Sequence, residues 1–438
     1  KISKLGYLDY IREINISENQ IENLSVSLVK DSLYQEGWPV EVPENLYSLK
    51  NIISSDINHD GKQELIFSGV APYWSIDSKI YVYDFQGNTF NYNEEKTNNW
   101  PVELGSSIVF VSVGNVNSDV YEEVVALPSG QGSDQNIHII NIDAKTLNKI
   151  PFNGIGKVYS NTLPILGNLD RDKELEIILA VNYDSQPDEE GNIWPGETYI
   201  FAWNADGSLV NGWPVKLNFF NKTSIFNILS APSMGDINGD GKNEVVITSN
   251  DLKKIYAISN EGVILDGWPI EIDNVQNLIT FPITLGDINN NGYMEILAYG
   301  SGTQLNNLIY AWDYKGKVLS GWPLDLKFKF GSGSLISLGD LDKNNYLEIL
   351  NHFKSYFYHN KLFNSFYPYD FDYYGNIDYG SVIGDITGDG NSEILKSYGN
   401  KIYAFGGDGT LVKGWPRELG GGDKSSTRPF RFGWRWRY

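Results

Sequence analysis

The sequence predicts an all-β chain folded as a β-propeller of four-stranded blades, seven in number, with eight as the alternative. Three observations predict it. An acidic loop pattern returns seven times, strand-length apolar runs flank each copy, and a Gly-Trp-Pro tripeptide ends most units. The clearest loop is Met234-Gly-Asp-Ile-Asn-Gly-Asp-Gly-Lys-Asn-Glu-Val-Val-Ile-Thr248, and parallel copies begin at Asp56, Asn115, Asn168, Asp287, Asp340 and Asp385. The spacing is about 55 residues, within the range of propeller and solenoid units.

The elements of one unit follow in order. The run before the loop, such as Ile108–Val113, and the run after it, such as Glu176–Ala180, have strand length and β-branched content. A third strand carries a recurring aromatic, as in Lys79–Asp84, Tyr199–Asn204, Lys254–Ile258, Leu308–Asp313 and Lys401–Phe405. A Gly turn follows, then a fourth segment with Gly-Trp-Pro starting at Gly37, Gly212, Gly267, Gly321 and Gly414. The motif is altered at Asn99-Trp100-Pro101 and decayed around Pro151 and Tyr367-Pro368. Four short strands per unit, repeated without helical periodicity, are the mark of a propeller blade. One unit cannot bury both faces, so neighbours must stack. Pro removes a ladder donor, which an outer edge tolerates, and the Trp is expected to pack against the next blade.

The chain divides into an N-terminal extension, 1–36, a propeller, 37–419, and a C-terminal tail, 420–438. Leu24–Pro39 aligns with the third and fourth strands of a further unit, and Ser426–Gly433 resembles a first strand. Pieces from both ends would therefore complete a shared eighth blade; otherwise they overhang seven. Where the next acidic loop should start, the chain reads Gly433-Trp-Arg-Trp-Arg-Tyr438. That stretch can be written GGA TGG AGA TGG AGA TAT, which read one base later encodes Asp-Gly-Asp-Gly-Asp. A frameshift at an eighth loop is one expectation, which resequencing checks, and a basic aromatic tail is the other. No leader pattern follows Lys1, so the chain is taken as a mature form or a fragment.

Composition excludes several classes. With 34 basic against 55 acidic side chains the formal charge is −21, which repels phosphate backbones, so no nucleic-acid partner is expected. Cysteine is absent, which rules out disulfides, thiol catalysis and Cys-ligated metals. No apolar run approaches the ~20 residues that span a bilayer, so no membrane insertion by this segment is expected. A monomeric domain is expected.

Position by position the loop reads Asp-x-Asx-x-Asp-Gly-x-x-Glu. Hard cations such as Ca²⁺ take six to eight oxygens from carboxylates, amides, carbonyls and water. Positions 1, 3 and 5 converge when the chain winds tightly, Gly at position 6 permits the turn, and Glu at position 9 closes the shell. The candidate ligands are Asp56, Asn58, Asp60 and Glu64 in loop 1; Asn115, Asn117, Asp119 and Glu123 in loop 2; and Asn168, Asp170, Asp172 and Glu176 in loop 3. They continue with Asp236, Asn238, Asp240 and Glu244 in loop 4, and Asp287, Asn289, Asn291 and Glu295 in loop 5. Loop 6 offers Asp340, Asp342, Asn344 and Glu348, and loop 7 offers Asp385, Thr387, Asp389 and Glu393. Position 6 is Val120, Lys173 and Asn345 in loops 2, 3 and 6, and a β-branched Val suits positive φ poorly, so loop 2 reads as the weakest site. Plain hairpin turns would explain Asn-Gly-Asp-Gly but not the recurring acid at position 9. Zinc is disfavoured, because none of His59, His138, His352 and His359 stands at a ligand position. Up to seven Ca²⁺ sites follow.

These loops resemble the FG-GAP (VCBS-type) repeat of integrin α-chain propellers and secreted bacterial proteins, and the Gly-Trp-Pro strand resembles the bacterial subset. The likeness runs from about Val40 to Leu419. It implies a propeller with calcium between the two innermost strands of each blade, and roles in adhesion or glycan binding.

On the face opposite the acidic loops, two connections read as long, 69–78 and 182–197, with a shorter one at 128–134. Tyr73, Trp74, Tyr183 and Trp194 form a candidate aromatic platform for a sugar or protein ligand; the alternative is that they pin their own loops. The function read from these features is a calcium-stabilised, extracellular binding or adhesion module for a glycan or surface protein. A glycan-cleaving lyase or hydrolase, or a spacer in a larger surface protein, is the alternative. No HExxH, Gly-x-Ser-x-Gly or Cys-His signature is present. Extracellular calcium fills modest sites that cytosolic calcium leaves empty, which motivates the location.

Overall fold

The structure is a computed structural model. It describes residues 38, 40, 48–70, 75–92, 99–130, 133–170, 172–184, 195–217, 230–249, 254–272, 275–278, 282–302, 307–326, 335–351, 354–356, 362–365, 381–398 and 401–418. These residues are all-β, and they form seven antiparallel sheets whose main path runs in chain order. The fold is a β-propeller of four-stranded blades.

Blade 1 comprises Ser48–Ser55, Glu64–Val70, Lys79–Tyr83 and Val102–Glu103; blade 2 comprises Ile108–Gly114, Glu123–Ser129, Asn136–Ile140 and Thr146–Pro151. Blade 3 is built from Ile165–Gly167, Glu176–Asp184, Pro195–Trp203 and Val215–Leu217, with Val158–Asn161 as an added strand. Blade 4 has Ser233–Gly235, Glu244–Ser249, Lys254–Ile258 and Ile270–Glu271. In blade 5, Val275–Leu278 and Thr284–Gly286 both pair with Glu295–Gly302, followed by Asn307–Trp312 and Leu324–Asp325. Blade 6 has Ser337–Gly339, Glu348–Asn351, Lys354–Tyr356 and Leu362–Ser365, and blade 7 has Val382–Gly384, Glu393–Tyr398, Lys401–Gly406 and Arg417–Glu418.

Both faces of the second and third strands of blades 1 to 5 carry buried apolar residues, so the blades stack. Six core clusters each bridge two consecutive blades, from blades 1 and 2 through blades 6 and 7. In blades 1, 2, 3, 4 and 5, the second residue of the aromatic strand motif is Ile80, Ile137, Ile200, Ile255 and Ile309, each 0% exposed. Burial of one such side chain is worth about 1.5–3 kcal/mol.

The Trp-Pro tryptophans hold neighbouring blades together, as their edge position predicts. Trp100 donates its indole N–H to the Ile142 carbonyl of the next blade (3.2 Å), Trp213 to Asn260 (3.0 Å) and Trp268 to Tyr314 (2.9 Å). Blade 2 has no Trp there, and the Asn148 amide donates to the Ala205 carbonyl instead (2.8 Å). Gly212 sits at φ +88, and a methyl group on it would collide with the Glu261 carbonyl, so close approach of the next turn requires glycine. Nearer the axis, Ser112, Ser233, Thr284 and Ser337 donate to the carbonyls of Pro164, Ile283, Ile336 and Ser381 in the following blade (2.6–3.0 Å).

Candidate functional site

Each acidic loop joins the first strand of a blade to the second, so all the described copies share one architecture. Position 2 is an apolar plug: Ile57, Val116, Leu169, Ile237 and Ile288 are at most 1% exposed. The plug draws the loop onto the blade and places position 9, at the start of the second strand, directly beneath it. Accordingly Glu64, Glu123, Glu176, Glu244, Glu295, Glu348 and Glu393 are all buried, at 0–4% exposure. Positions 1, 3 and 5 remain half-buried or exposed above them.

Backbone amides wind the loop around its carboxylates. The position 2 N–H donates to Oε2 of the closing Glu in all seven loops, at 2.8–3.2 Å in six: Ile57 to Glu64, Val116 to Glu123, Ile237 to Glu244, Ile288 to Glu295, Leu341 to Glu348 and Ile386 to Glu393. Leu169 makes the same contact with Glu176. Position 5 accepts from the position 7 N–H throughout, as Asp60 does from Lys62 (2.9 Å) and Asp240 from Lys242 (2.8 Å). Where position 1 is Asp, its two oxygens take the N–H groups of positions 5 and 6, as Asp56 does from Asp60 (2.9 Å) and Gly61 (2.8 Å).

That last contact explains the position 6 glycine. Gly61, Gly241, Gly292, Gly390 and Asn345 all have positive φ, which turns their N–H toward the position 1 carboxylate. Val120 and Lys173 are not left-handed. In those two loops position 1 is Asn115 or Asn168, whose amide donates to the carbonyl of Asp119 or Asp172 instead. A second left-handed residue was missed in the sequence. Position 4 has positive φ at His59, Ser118, Gly239, Asn290, Lys343 and Gly388, and only two of these are glycine.

Position 3 separates loops 2, 4 and 5 from loops 3 and 6. Asn117, Asn238 and Asn289 donate their side-chain amides to the free Oε1 of Glu123, Glu244 and Glu295 (2.9, 3.1 and 2.7 Å). In loops 3 and 6, position 3 is Asp170 or Asp342, which offers no donor. There Glu176 Oε1 and Glu348 Oε1 are buried without a hydrogen-bond partner. In the same two loops the carboxylates of Asp170, Asp172 and Glu176, and of Asp340, Asp342 and Glu348, converge with ligand atoms within 4.8 Å of one another. Asp385, Asp389 and Glu393 converge likewise in loop 7. A bare buried carboxylate oxygen facing two more carboxylates is met by either a cation or a proton.

Burial pushes the Glu64, Glu123, Glu176, Glu244, Glu295 and Glu348 carboxyls up to about 7, and neighbouring carboxylates of the same loop add to the rise. Without a counter-ion these groups hold protons near neutrality, and a cation would displace them. The loops are also linked. Glu122 N–H donates to the Ile57 carbonyl (3.1 Å), Leu175 to Asn115 (3.0 Å) and Met294 to Ile237 (3.2 Å), while the Asn243 amide donates to the Asn168 carbonyl (2.8 Å).

With the loop geometry in hand, the comparison with known families is direct. Residues 236–298, which span loops 4 and 5, match the model of the FG-GAP-like repeat. That stretch is similar to an FG-GAP-like repeat. The other loops share its spacing and its Glu-to-amide contact. No curated protein matches the chain in sequence. Among solved structures, rhamnogalacturonan lyase YesW aligns at 14% identity over 85% of this chain and 69% of its own, with a TM-score of 0.45. A Bacillus licheniformis rhamnogalacturonan lyase aligns at 13% identity over 85% and 69%, with a TM-score of 0.45. BBS1N, solved in complex with ARL6DN, aligns at 12% identity over 86% and 96%, with a TM-score of 0.46. No activity is carried over from likenesses this distant.

The candidate aromatic platform is different. Tyr73, Trp74 and Trp194 lie outside the described residues. Tyr183 is 2% exposed, packs in the core between blades 2 and 3, and donates its hydroxyl to the Phe152 carbonyl. It therefore pins its own strand and is not available to a ligand. The 182–197 connection is also shorter than the sequence suggests, because the hairpin continues through Asn182↔Thr198 to Asp184↔Pro195. Of the histidines, His59 is exposed in loop 1, while His138 is buried beside Asp134 (3.1 Å). His352 and His359 lie outside the described residues.

Proposed function

We propose that this chain is a calcium-stabilised propeller that works outside the cell as a binding or adhesion module for a glycan or a surface protein. The observation that carries the reading is the pair of bare, buried oxygens, Glu176 Oε1 and Glu348 Oε1, each set among carboxylates. The donors are all hard oxygens, which favours Ca²⁺ over zinc or copper. When bound, the ion supplies positive charge that lets the loop carboxylates ionise and ties the two inner strands of a blade together. Asp170, Asp172 and Glu176, and Asp340, Asp342 and Glu348, would hold it most firmly. Loops with few carboxylates suit calcium at roughly 10⁻⁴–10⁻³ M, the extracellular range. Among the described residues no helix is long and apolar enough to cross a membrane, which says nothing of a β-barrel.

A rigid scaffold that spends its first-to-second-strand loops on cations leaves the opposite face for recognition, which supports a binding role. The test is a glycan array probed with the calcium-loaded protein, run beside a polysaccharide depolymerisation assay. Calcium-dependent binding without turnover is expected. Depolymerisation would replace the reading with a glycan-cleaving one, and inertness in both assays would leave a spacer.

A further inference from the structure

The chain carries Asn-Gly pairs at Asn153-Gly154, Asn211-Gly212, Asn238-Gly239 and Asn291-Gly292. An asparagine before glycine is open to attack on its side-chain carbonyl carbon by the following backbone nitrogen, because glycine puts no Cβ in the way. Two of the four pairs stand in acidic loops, Asn238 at position 3 of loop 4 and Asn291 at position 5 of loop 5. There the loop supplies a partner to each atom that such an attack involves.

The attacking group comes first. Gly239 N–H donates to Asp236 Oδ1, and Gly292 N–H to Asp287 Oδ2 (both 2.8 Å), so a carboxylate stands where the proton must leave. The carbonyl oxygen, which gains negative charge during attack, is also met. Asn238 Oδ1 accepts the Asp240 N–H (2.9 Å), which Asp236 Oδ1 shares at 3.1 Å, and Asn291 Oδ1 accepts the Tyr293 N–H (2.8 Å). These bonds close Asx turns, which fold each side chain back along its own following peptide. The leaving nitrogens face the closing glutamates: Asn238 Nδ2 donates to Glu244 Oε1 (3.1 Å) and Asn291 Nδ2 to Glu295 Oε1 (3.4 Å).

The remaining loops each lack one part. Asn117 and Asn289 also meet their closing Glu, but Ser118 and Asn290 follow them in place of glycine. Ser118 N–H, moreover, donates to the amide oxygen of Asn115, which is no base (3.1 Å). Loop 7 keeps the Gly388 to Asp385 bond (2.7 Å), yet its position 3 is Thr387, which has no amide to lose.

We propose that Asn238 and Asn291 are self-modification sites, deamidated by the loops that hold them. The backbone nitrogen of Gly239 or Gly292 forms a bond to Asn Cγ, and its proton passes through the Asp carboxylate to the leaving nitrogen. The Cγ–Nδ2 bond breaks, ammonia departs, and a succinimide remains. Water opens that ring to aspartate or isoaspartate, so the net change is asparagine plus water to acid plus ammonia. Aspartate at 238 can no longer donate to Glu244 Oε1, which turns loop 4 into the kind seen in loops 3 and 6. Aspartate at 291 gives loop 5 the position 5 acid that loops 1 to 4 carry.

The test is peptide mapping by mass spectrometry of the full chain, held in neutral buffer with EDTA below its Tm and, in parallel, unfolded in urea. In the folded protein Asn238 and Asn291 should convert on the order of 100-fold faster than Asn153 and Asn211, and faster than they themselves do in urea. In urea the four pairs should converge. Asp236→Asn should slow Asn238 alone and Asp287→Asn should slow Asn291 alone, each by about 100-fold. Loops 2 and 3 already carry Asn at position 1, so the fold accepts that residue there. Conversion in the folded chain no faster than in urea would overturn the proposal without any variant. Unchanged rates in the two Asp variants would overturn it as well, by leaving only the ordinary reactivity of Asn-Gly.

Discussion

Loops 2 and 3 are neighbours that differ where it matters. Both begin with Asn, carry Asp at position 5 and close with a buried Glu, and they are joined by the Leu175 N–H to Asn115 carbonyl bond. At position 3 one has Asn117 and the other Asp170. Asn117 donates to Glu123 Oε1 and closes the loop on itself (2.9 Å). Asp170 cannot donate, so Glu176 Oε1 stays bare. Two side chains of the same heavy-atom shape thus decide whether the closing Glu is satisfied within the loop or left bare. Among loops 2 to 6, the identity of position 3 decides whether the closing Glu has an amide partner.

The widest way to probe that difference is pH in chelator. Six closing carboxyls have folded values of about 7 against an ordinary 4.5, so the fold binds their protons more tightly than the unfolded chain does. Their contribution to stability is fully present below about pH 4.5 and is lost as pH rises through about 7. Thermal unfolding in EDTA should therefore show Tm falling from pH 5 to 7.5, and millimolar calcium should flatten that slope. A slope that survives calcium would mean that the carboxyls do not face the ion.

Single substitutions rank below that collective effect. Glu123→Ala should cost about 2–4 kcal/mol in urea unfolding, with or without calcium, because it strands the buried Val116 N–H and opens a cavity under loop 2. Position 3 exchanges are smaller and opposite in sign. Asp170→Asn should stabilise the chelated protein by about 1–2 kcal/mol while removing one calcium from the bound count by equilibrium dialysis. Asn117→Asp should destabilise the chelated protein and restore itself with calcium. Equal behaviour of the two variants in calcium and EDTA would break the comparison. Smallest is position 6: Val120→Gly should cost about 0.5–1 kcal/mol, since Val120 is not left-handed, whereas Asn345→Gly, at φ +66, should be neutral or slightly stabilising.

The repeat itself was fully legible, because period, strand-length runs and a turn-forming loop are all properties of local sequence. Packing of Trp100, Trp213 and Trp268 against the next blade followed from their edge position, whereas their indole N–H bonds to its turn did not. What escaped is what depends on the third dimension. The closing Glu reads as the last ligand of a shell, yet its Oε2 is committed to the position 2 N–H, because the apolar plug sinks the second strand beneath the loop. Left-handed φ at His59, Ser118 and Lys343 left no glycine to announce it. Tyr183 looked like a loop aromatic because nothing in the sequence shows that the hairpin of blade 3 continues to Asp184 and carries the ring inward.

The central claim is that the carboxylate-rich loops are structural calcium sites. Its most direct test is thermal unfolding at pH 7.5 in millimolar calcium, in magnesium and in excess EDTA. Two sites at a hundredfold excess over Kd contribute about 2.7 kcal/mol each, which at ~1 °C per kcal/mol for a chain of this length predicts a fall of roughly 6 °C in EDTA. The account predicts that calcium reverses this fall and magnesium does not. An unchanged Tm would contradict it, and would make loops 3 and 6 turns like loop 2.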